Sequence, residues 1–150
     1  MNTIEERMDS IRVLAKSVAL PKRPDSFEGG SYKFPEDLTK LSGDELGALL
    51  SRLGAYRGYA QRQVGLSEIR RDMHRDLLSI KMPELISHIE KKGKTKTAIK
   101  EEARDLPEAI ETRKKISEID YIFKFYYALE KIYTGQIEVI SREITRRRGI

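Results

Sequence analysis

A run of lysines in the middle of the chain is the residue pattern best suited to binding chemistry. Lys91, Lys92, Lys94, Lys96 and Lys100 lie within one stretch that contains no acid. Lysines separated by small residues suit a phosphate backbone, where affinity comes from counterion release rather than from reading bases. A solvated loop that only maintains solubility has the same composition, so the sequence leaves both interpretations open.

Three arginines further towards the N-terminus could belong to the same basic surface. They are Arg70, Arg71 and Arg75. The whole chain carries 29 Lys and Arg against 24 Asp and Glu, which gives a net charge of +5. An excess of this size permits nucleic-acid binding without requiring it.

Catalytic and metal-binding patterns are missing from the sequence. There is no cysteine, and the two histidines, His74 and His88, have no Ser or Cys nucleophile motif beside them. Both are interpreted as surface residues of amphipathic helices. Asp72 is predicted to pair with Arg75 rather than to bind a metal ion. We therefore predict a non-enzyme with no catalytic residue, no metal site and no cofactor.

The hydropathy of the chain favours an intracellular protein. No apolar run approaches the roughly 18 residues that span a bilayer, and the first 16 residues lack the apolar core of a signal peptide. The expected location is the cytoplasm, which would be the host cytoplasm for a phage-encoded protein, and no membrane partner is expected.

The N-terminal third of the chain reads as a helix followed by an arm. Thr3-x-x-Glu6 is a capping box, and the helix should end near Val18 because prolines follow. The segment from Ala19 to Leu41 is rich in Pro and Gly and has little periodicity, which is typical of an extended arm outside a compact core. The predicted division is an N-terminal helix over 1–18, an arm over 19–41 and a helical core and assembly domain over 42–150.

A long helix should begin at a second capping box, Ser42-x-x-Glu45. Four glycines fall on one stripe of this helix, which suggests close approach of another backbone: Gly47, Gly54, Gly58 and Gly65. Beyond Gly65 the apolar stripe moves to nearly the opposite face, as Leu66, Ile69, Met73, Leu77 and Ile80. Either the helix kinks at Gly65, or its halves pack against different partners.

A short middle helix is predicted to start at Pro83 and to end before Gly93, and the lysines would follow on an exposed connection. The last helix should begin near Pro107 and run to Arg148, about 60 Å at 1.5 Å per residue. Its apolar stripe requires a partner from the same chain or from a neighbour. The residues predicted to form an oligomerisation surface are Ile119, Ile122, Tyr126, Leu129, Tyr133, Ile137, Ile140 and Ile144.

These elements predict an all-α fold with a short N-terminal helix, an extended Pro/Gly arm, and two long helices in a hairpin with a small middle helix. Aromatic residues crowd the last helix, where stacking on single-stranded bases is one interpretation. Because they surround the helix on several sides, a core and interface role is favoured.

The order of these elements resembles the UvsY-type recombination mediators of tailed bacteriophages. The similar stretches begin with Lys94-Thr-Lys-Thr-Ala-Ile and Ala103-Arg-Asp-Leu. They continue with Ile119-Asp-Tyr-Ile-Phe-Lys-Phe-Tyr-Tyr-Ala-Leu and Ile137-Glu-Val-Ile-Ser-Arg-Glu-Ile, and a weaker likeness covers Leu46 to Arg75. The Pro/Gly-rich arm has no counterpart in the family.

The resemblance implies a ring-forming homo-oligomer that binds single-stranded DNA. Such proteins help to load a RecA-like recombinase onto strands covered by single-strand-binding protein. Carried over by position, the DNA-contacting candidates are Arg70, Arg71, Arg75, Lys91, Lys92, Lys94 and Lys96.

The leading hypothesis is therefore a non-enzymatic, oligomeric, single-strand-binding accessory protein of phage recombination or replication. The alternative is a helical scaffolding protein whose arm docks onto a neighbour and whose lysines are only solvated. A third possibility, a small regulator that caps a host protein, has no specific support in the sequence.

Overall fold

The computed structural model describes residues 4–17, 21–25, 27 and 33–149, without the side chains of 15–17. Among these residues four α-helices follow one another: α1 (Ile4–Ser17), α2 (Gly43–Ser87), α3 (Lys96–Arg104) and α4 (Pro107–Arg147). A 3-10 helix, Leu38–Lys40, precedes α2. No strand occurs in the described part of the chain, and the two long helices α2 and α4 form a hairpin, which confirms the predicted all-α fold.

The described residues divide into two compact units. Unit 1 draws on Met1–Leu14 and Leu66–Phe123, and unit 2 on Ala15–Gly65 and Lys124–Ile150. The helix α2 continues through Gly65, and its two halves belong to different units. Its two halves thus have different packing partners, one of the two predicted possibilities. The division into segments 1–18, 19–41 and 42–150 stays a prediction.

The start of α2 follows the predicted capping box. The backbone N–H of Glu45 donates to Ser42 Oγ at 3.1 Å, and the N–H of Ser42 donates to a Glu45 carboxylate oxygen at 2.7 Å. Two N–H groups without partners inside the helix are thereby satisfied, and a cap of this kind stabilises a helix by about 1 kcal/mol. The capping box predicted at Thr3 lies outside the described residues.

The core of unit 2 is made by the facing stripes of α2 and α4. Leu46, Leu53, Tyr56 and Ala60 of α2 are buried, as are Leu129, Tyr133 and Ile140 of α4. The Tyr56 and Tyr133 rings lie 5.6 Å apart between centroids. Both stripes advance in steps of three, four or seven residues, the spacing that keeps apolar side chains on one face of a helix.

The arm contributes to this core, which corrects the prediction that it lies outside. Phe27 is 6% exposed, and its ring meets Tyr56 at 5.6 Å and Tyr59 at 5.0 Å in edge-to-face contacts. Phe34 and Leu38 also pack against the cluster. Single apolar residues spaced irregularly along a Pro/Gly-rich segment form no periodic pattern, so the sequence did not indicate their burial. Parts of the arm lie outside the described residues.

The glycine stripe of α2 has a smaller role than predicted. A Cβ placed on Gly58 would lie 3.3 Å from the ring carbons of Pro21, so this glycine makes room for the arm. At Gly47, Gly54 and Gly65 no described atom comes within 4 Å of such a Cβ, and the predicted backbone approach is wrong there.

Unit 1 departs from the sequence predictions at Pro83. The short helix predicted to start there is absent, because α2 continues through Pro83 to Ser87. A proline inside a helix costs about 3 kcal/mol. Leu78 and Met82 before it and Leu85 and Ile86 after it all pack into one cluster, and this burial offsets the cost. The small middle helix is α3. Of the stripe predicted beyond Gly65, Ile69 and Ile80 are exposed.

The end of α4 is fastened to the turn before α2. Arg147 donates to the carbonyl oxygens of Leu41 at 2.7 Å, Leu38 at 3.0 Å and Thr39 at 3.3 Å. Its Nε also donates to Glu143 at 2.8 Å, and Arg146 makes two bonds to the same carboxylate. The hydrogen bonds from the two arginines lower the pKa of Glu143 to about 2.

Replacing Phe27 by Ala should lower the free energy of unfolding by about 3 kcal/mol, because it removes a buried ring between two tyrosines. Chemical denaturation measures the change. The matched control is Tyr121→Ala, which removes an aromatic ring that is 72% exposed and should change stability by about 0.5 kcal/mol or less. Equal effects of the two variants would contradict the burial of Phe27.

Acid should weaken unit 2 through Glu143. Because its folded pKa lies below its unfolded value of 4.5, the stability it contributes is complete above pH 4.5 and is lost as the pH falls towards 2. Glu143→Gln should lower the melting temperature at pH 7 and should flatten its dependence on pH between 4.5 and 2. Thermal melts followed by circular dichroism test this, with exposed Glu118→Gln as the control that keeps the wild-type profile.

Candidate nucleic-acid interface

The lysine block lies on a turn and on the first half of a helix. Gly93 has a φ of +73°, a left-handed conformation that glycine adopts without strain. Thr95 then caps α3, because its Oγ1 accepts the N–H of Ala98 at 3.1 Å. The predicted exposed connection is therefore correct up to Thr95 and wrong from Lys96, where α3 begins. Threonine is one of the residue types favoured at a helix N-cap, and this preference is the signal that could have placed the start of α3.

A small apolar cluster of unit 1 holds this segment in place. It consists of Leu85, Ile89, Ile99, Ala103 and Ala109, all of them buried. Ile99 and Ala103 lie four residues apart on α3, so one face of this short helix is buried while Lys96 and Lys100 lie on its exposed surface. Packing of Ile99 and Ala103 in this cluster thus fixes the position of the helix that carries Lys96 and Lys100.

Four of the five lysines are available to a ligand. Lys91, Lys92, Lys96 and Lys100 are exposed, and no described acid lies within ion-pair distance of them. Lys94 differs, since its Nζ lies 2.6 Å from a carboxylate oxygen of Glu102. Lys94 therefore connects the turn to α3, and an anion would have to compete with the Glu102 carboxylate for its ammonium group.

The N-terminus of α3 adds to the positive potential of the four lysines. The first turns of α1, α2 and α4 all contain acids, whereas the first turn of α3 contains none and includes Lys96. A helix N-terminus carries a partial positive charge and free N–H groups, which favour anions. Lys96 and the N-terminus of α3 therefore both favour the binding of an anion.

The three arginines have separate environments. Arg71 is 14% exposed, lies 3.1 Å from Asp120 and 3.6 Å from Asp72, and stacks its guanidinium 4.6 Å from the centre of the Phe123 ring. It joins α2 to α4 inside unit 1. Arg75 is exposed and 4.0 Å from Asp72, as predicted. Arg70 is half-buried.

His74 is buried, which corrects its assignment to the surface. It is 6% exposed, and among the described residues its Nδ1 has no hydrogen-bond partner. Burial lowers the pKa of His74 below its ordinary value of 6.5, and the positive charges of Arg70 and Lys115 lower it further against the opposing effect of Glu5. His88 is exposed, as predicted.

A cavity of about 480 Å³ adjoins His74 within unit 1. Ile4 of α1, Met73 and Leu77 of α2, and Thr112 of α4 contribute to its wall. Neither this cavity nor the burial of His74 followed from the sequence, because the polar residues His74 and Thr112 occupy core positions where the pattern expects apolar ones.

Most of the predicted oligomerisation stripe faces the chain's own helices. Ile119, Leu129, Tyr133 and Ile140 are buried, and Ile122 is 46% exposed. Three further members pack against the core of unit 2 while half-buried: Tyr126, Ile137 and Ile144. The partner that this stripe required is thus supplied by the same chain, and its role in oligomerisation stays a prediction.

The aromatic residues of α4 divide between core and surface. Tyr133 is buried and Phe123 lies beneath Arg71, whereas Tyr121, Phe125 and Tyr127 are exposed. The core interpretation favoured by the sequence is therefore correct for only part of the set.

Neither a metal site nor a membrane-spanning helix is found among the described residues. They contain no group of three or more His, Cys, Asp or Glu side chains placed to hold a metal ion. None of their helices is both long and apolar enough to cross a membrane.

Comparison with known proteins places the chain in no family. No protein-family model, no curated protein and no solved structure matches it. The resemblance to recombination mediators stays a prediction from the sequence.

Mild acid should destabilise unit 1 through His74. A buried histidine whose folded pKa is lowered binds fewer protons than in the unfolded chain, so its contribution is complete above pH 6.5 and is lost as the pH falls below that value. The melting temperature should fall between pH 7.5 and 5.5, and His74→Gln should reduce this slope. His88→Gln, the control at an exposed histidine, should keep it. If the melting temperature depended on pH equally in both variants, the assignment of this dependence to His74 would be refuted.

Proposed function

We propose that this chain is a non-enzymatic, oligomeric, single-stranded-DNA-binding protein that assists recombination or replication. The observation that carries the proposal is the group of four exposed lysines around the N-terminus of α3, with no described acid paired to them. We call these residues, Lys91, Lys92, Lys96 and Lys100, the basic cap.

The chemistry of the basic cap suits phosphates rather than bases. Ammonium groups are point charges with no planar edge to match a base, whereas phosphate oxygens accept from lysine and from free N–H groups at a helix N-terminus. Binding would be tolerant of sequence and would weaken steeply with salt, because the release of condensed counterions on binding is less favourable at a higher salt concentration.

The arginines take a secondary place in this proposal. Arg75 is exposed and only loosely paired, so it can contribute charge to a bound strand. Arg71 is held by Asp120 and by the Phe123 ring, and we assign it to the stability of unit 1. Lys94 is assigned to the turn through Glu102.

If each subunit carries one weak phosphate site, an oligomer would bind a single strand with a much higher overall affinity than one subunit does. Each subunit offers few contacts, and linking them makes the later binding events effectively intramolecular. The proposed partners are single-stranded DNA and further copies of this chain. The resemblance to mediator proteins adds a RecA-like recombinase and a single-strand-binding protein.

Neutralising the basic cap tests the proposal. The variant with Lys91, Lys92, Lys96 and Lys100 all replaced by Gln should lose most of its affinity for a labelled poly-dT strand. Four phosphate contacts on a single strand correspond to a slope of about 3 in the logarithm of affinity against the logarithm of salt, and the variant should lose about that much. Fluorescence anisotropy at several salt concentrations measures both quantities.

The control removes the same charge elsewhere. Replacing Lys22, Lys33, Lys40 and Lys114, all exposed, by Gln changes the net charge equally and should leave most of the affinity. Equal losses in the two variants would mean that only net charge matters. No binding by the wild type at low salt would reject the DNA-binding function and favour the scaffolding alternative.

A further inference from the structure

A second apolar face runs along α4 and is exposed. Phe125, Ala128, Ile132, Gly135 and Val139 recur at intervals of three and four residues, and all five belong to unit 2. The three large residues are 47%, 53% and 47% exposed. At about 100° per residue, this face lies roughly a third of a turn from the buried stripe that packs on α2.

We propose that this face pairs antiparallel with the same face of a second copy of the chain. It has the heptad spacing of residues that interlock between two helices, and it continues for more than two heptads. The inference deepens the oligomeric part of the proposed function. It stands on unit 2 alone and does not require DNA binding.

Size complementarity favours the antiparallel direction. When Ile132 of one copy faces Gly135 of the other, Val139 faces Ala128, and the two-fold axis repeats both contacts. Ile132 and Val139 then each meet a small residue, which lets the helices approach closely at these positions. In a parallel pair Gly135 would face Gly135 and leave a void, and Arg142 would face Arg142.

Charge complementarity points to the same register. Lys131 and Glu138 lie along one edge of the face, both exposed. In the antiparallel register Lys131 of each copy flanks Glu138 of the other, which gives two opposite-charge pairs. Among the described residues Glu138 pairs with Arg142, at 3.9 Å between exposed side chains, and Lys131 lies over the Tyr127 ring at 4.5 Å. Both side chains are free to turn towards a partner.

A groove at the end of the face fits the same pairing. It measures about 390 Å³ and is lined by Phe34 and Pro35 of the arm and by Val139 and Arg142 of α4. The register that joins Ile132 to Gly135 brings Phe125 of the second copy opposite Arg142, at the border of this groove. The wall of the groove also contains the charged residues Glu36, Asp37, Glu143 and Arg146, so the half-exposed phenyl ring would gain contact only with its apolar part, which includes Phe34, Pro35 and Val139. Because α4 is already folded, pairing does not require a helix to form.

Charge exchange tests the pairing without DNA. Sedimentation equilibrium of the wild type should show a monomer–dimer equilibrium. Lys131→Glu and Glu138→Lys should each weaken dimerisation by roughly tenfold or more, because each replaces two attractions by two repulsions. An equimolar mixture of the two variants should form a heterodimer, since both of its charge pairs are attractive. Lys114→Glu, an exposed lysine of α4 in unit 1, should leave the equilibrium unchanged.

Cysteine cross-linking tests the direction, because the natural chain has no cysteine. A mixture of Ala128→Cys and Val139→Cys chains should form a mixed disulfide. Each variant alone should not, since like positions lie about 16 Å apart along the axis of an antiparallel pair. Disulfides within each variant alone would overturn the antiparallel register.

A monomeric wild type, or a dimer insensitive to both charge variants, would overturn the inference. A dimer that ignores poly-dT would retain it and reject only the proposed DNA binding. A monomer that binds poly-dT would support the proposed DNA binding and reject the pairing of α4.

Discussion

The pairing of α2 with α4 is the contact on which the rest of the chain depends. A helix of about 40 residues with an apolar stripe cannot bury that stripe by itself. In proteins, a helix of this kind gains most of its stability when its apolar face packs against another element. In unit 2 the leucines and tyrosines of the two helices meet directly, and Phe27 of the arm closes over the tyrosines. In unit 1 the ion pair of Arg71 with Asp120 joins the same two helices.

Because the hairpin already buries most of the main stripe of α4, the proposals for self-association and DNA binding rest on other surfaces. The remaining apolar face of α4 carries large and small residues in heptad order, and it lies in unit 2. The basic cap lies in unit 1, on a segment whose buried side is filled by Ile99 and Ala103. The proposed assembly face and the proposed DNA-binding site therefore lie in separate units, and substitutions can test each of them without altering the residues of the other.

Unit 1 buries several polar side chains, among them His74 and Thr112. His74 lies beside a cavity and lacks a described partner for Nδ1, so protonation is opposed by burial and by neighbouring cations. Unit 2 has instead a carboxylate, Glu143, held by two arginines. The two units should consequently respond to acid in different pH ranges.

The sequence by itself determined the features that depend on local chemistry. Capping at Ser42, the start of α4 at Pro107 and the all-α class all follow from preferences of neighbouring residues and from helical spacing, which act within a few residues. Only the tertiary structure decided the rest. Phe27 is buried against α2, Arg71 pairs with Asp120, and the residues around Pro83 pack against α3, so each depends on residues that are distant in the sequence. The pairing of Lys94 with Glu102, eight residues further along, depends on how the turn meets α3. A periodic pattern shows that a face will be covered, but contacts between distant residues determine which element covers it.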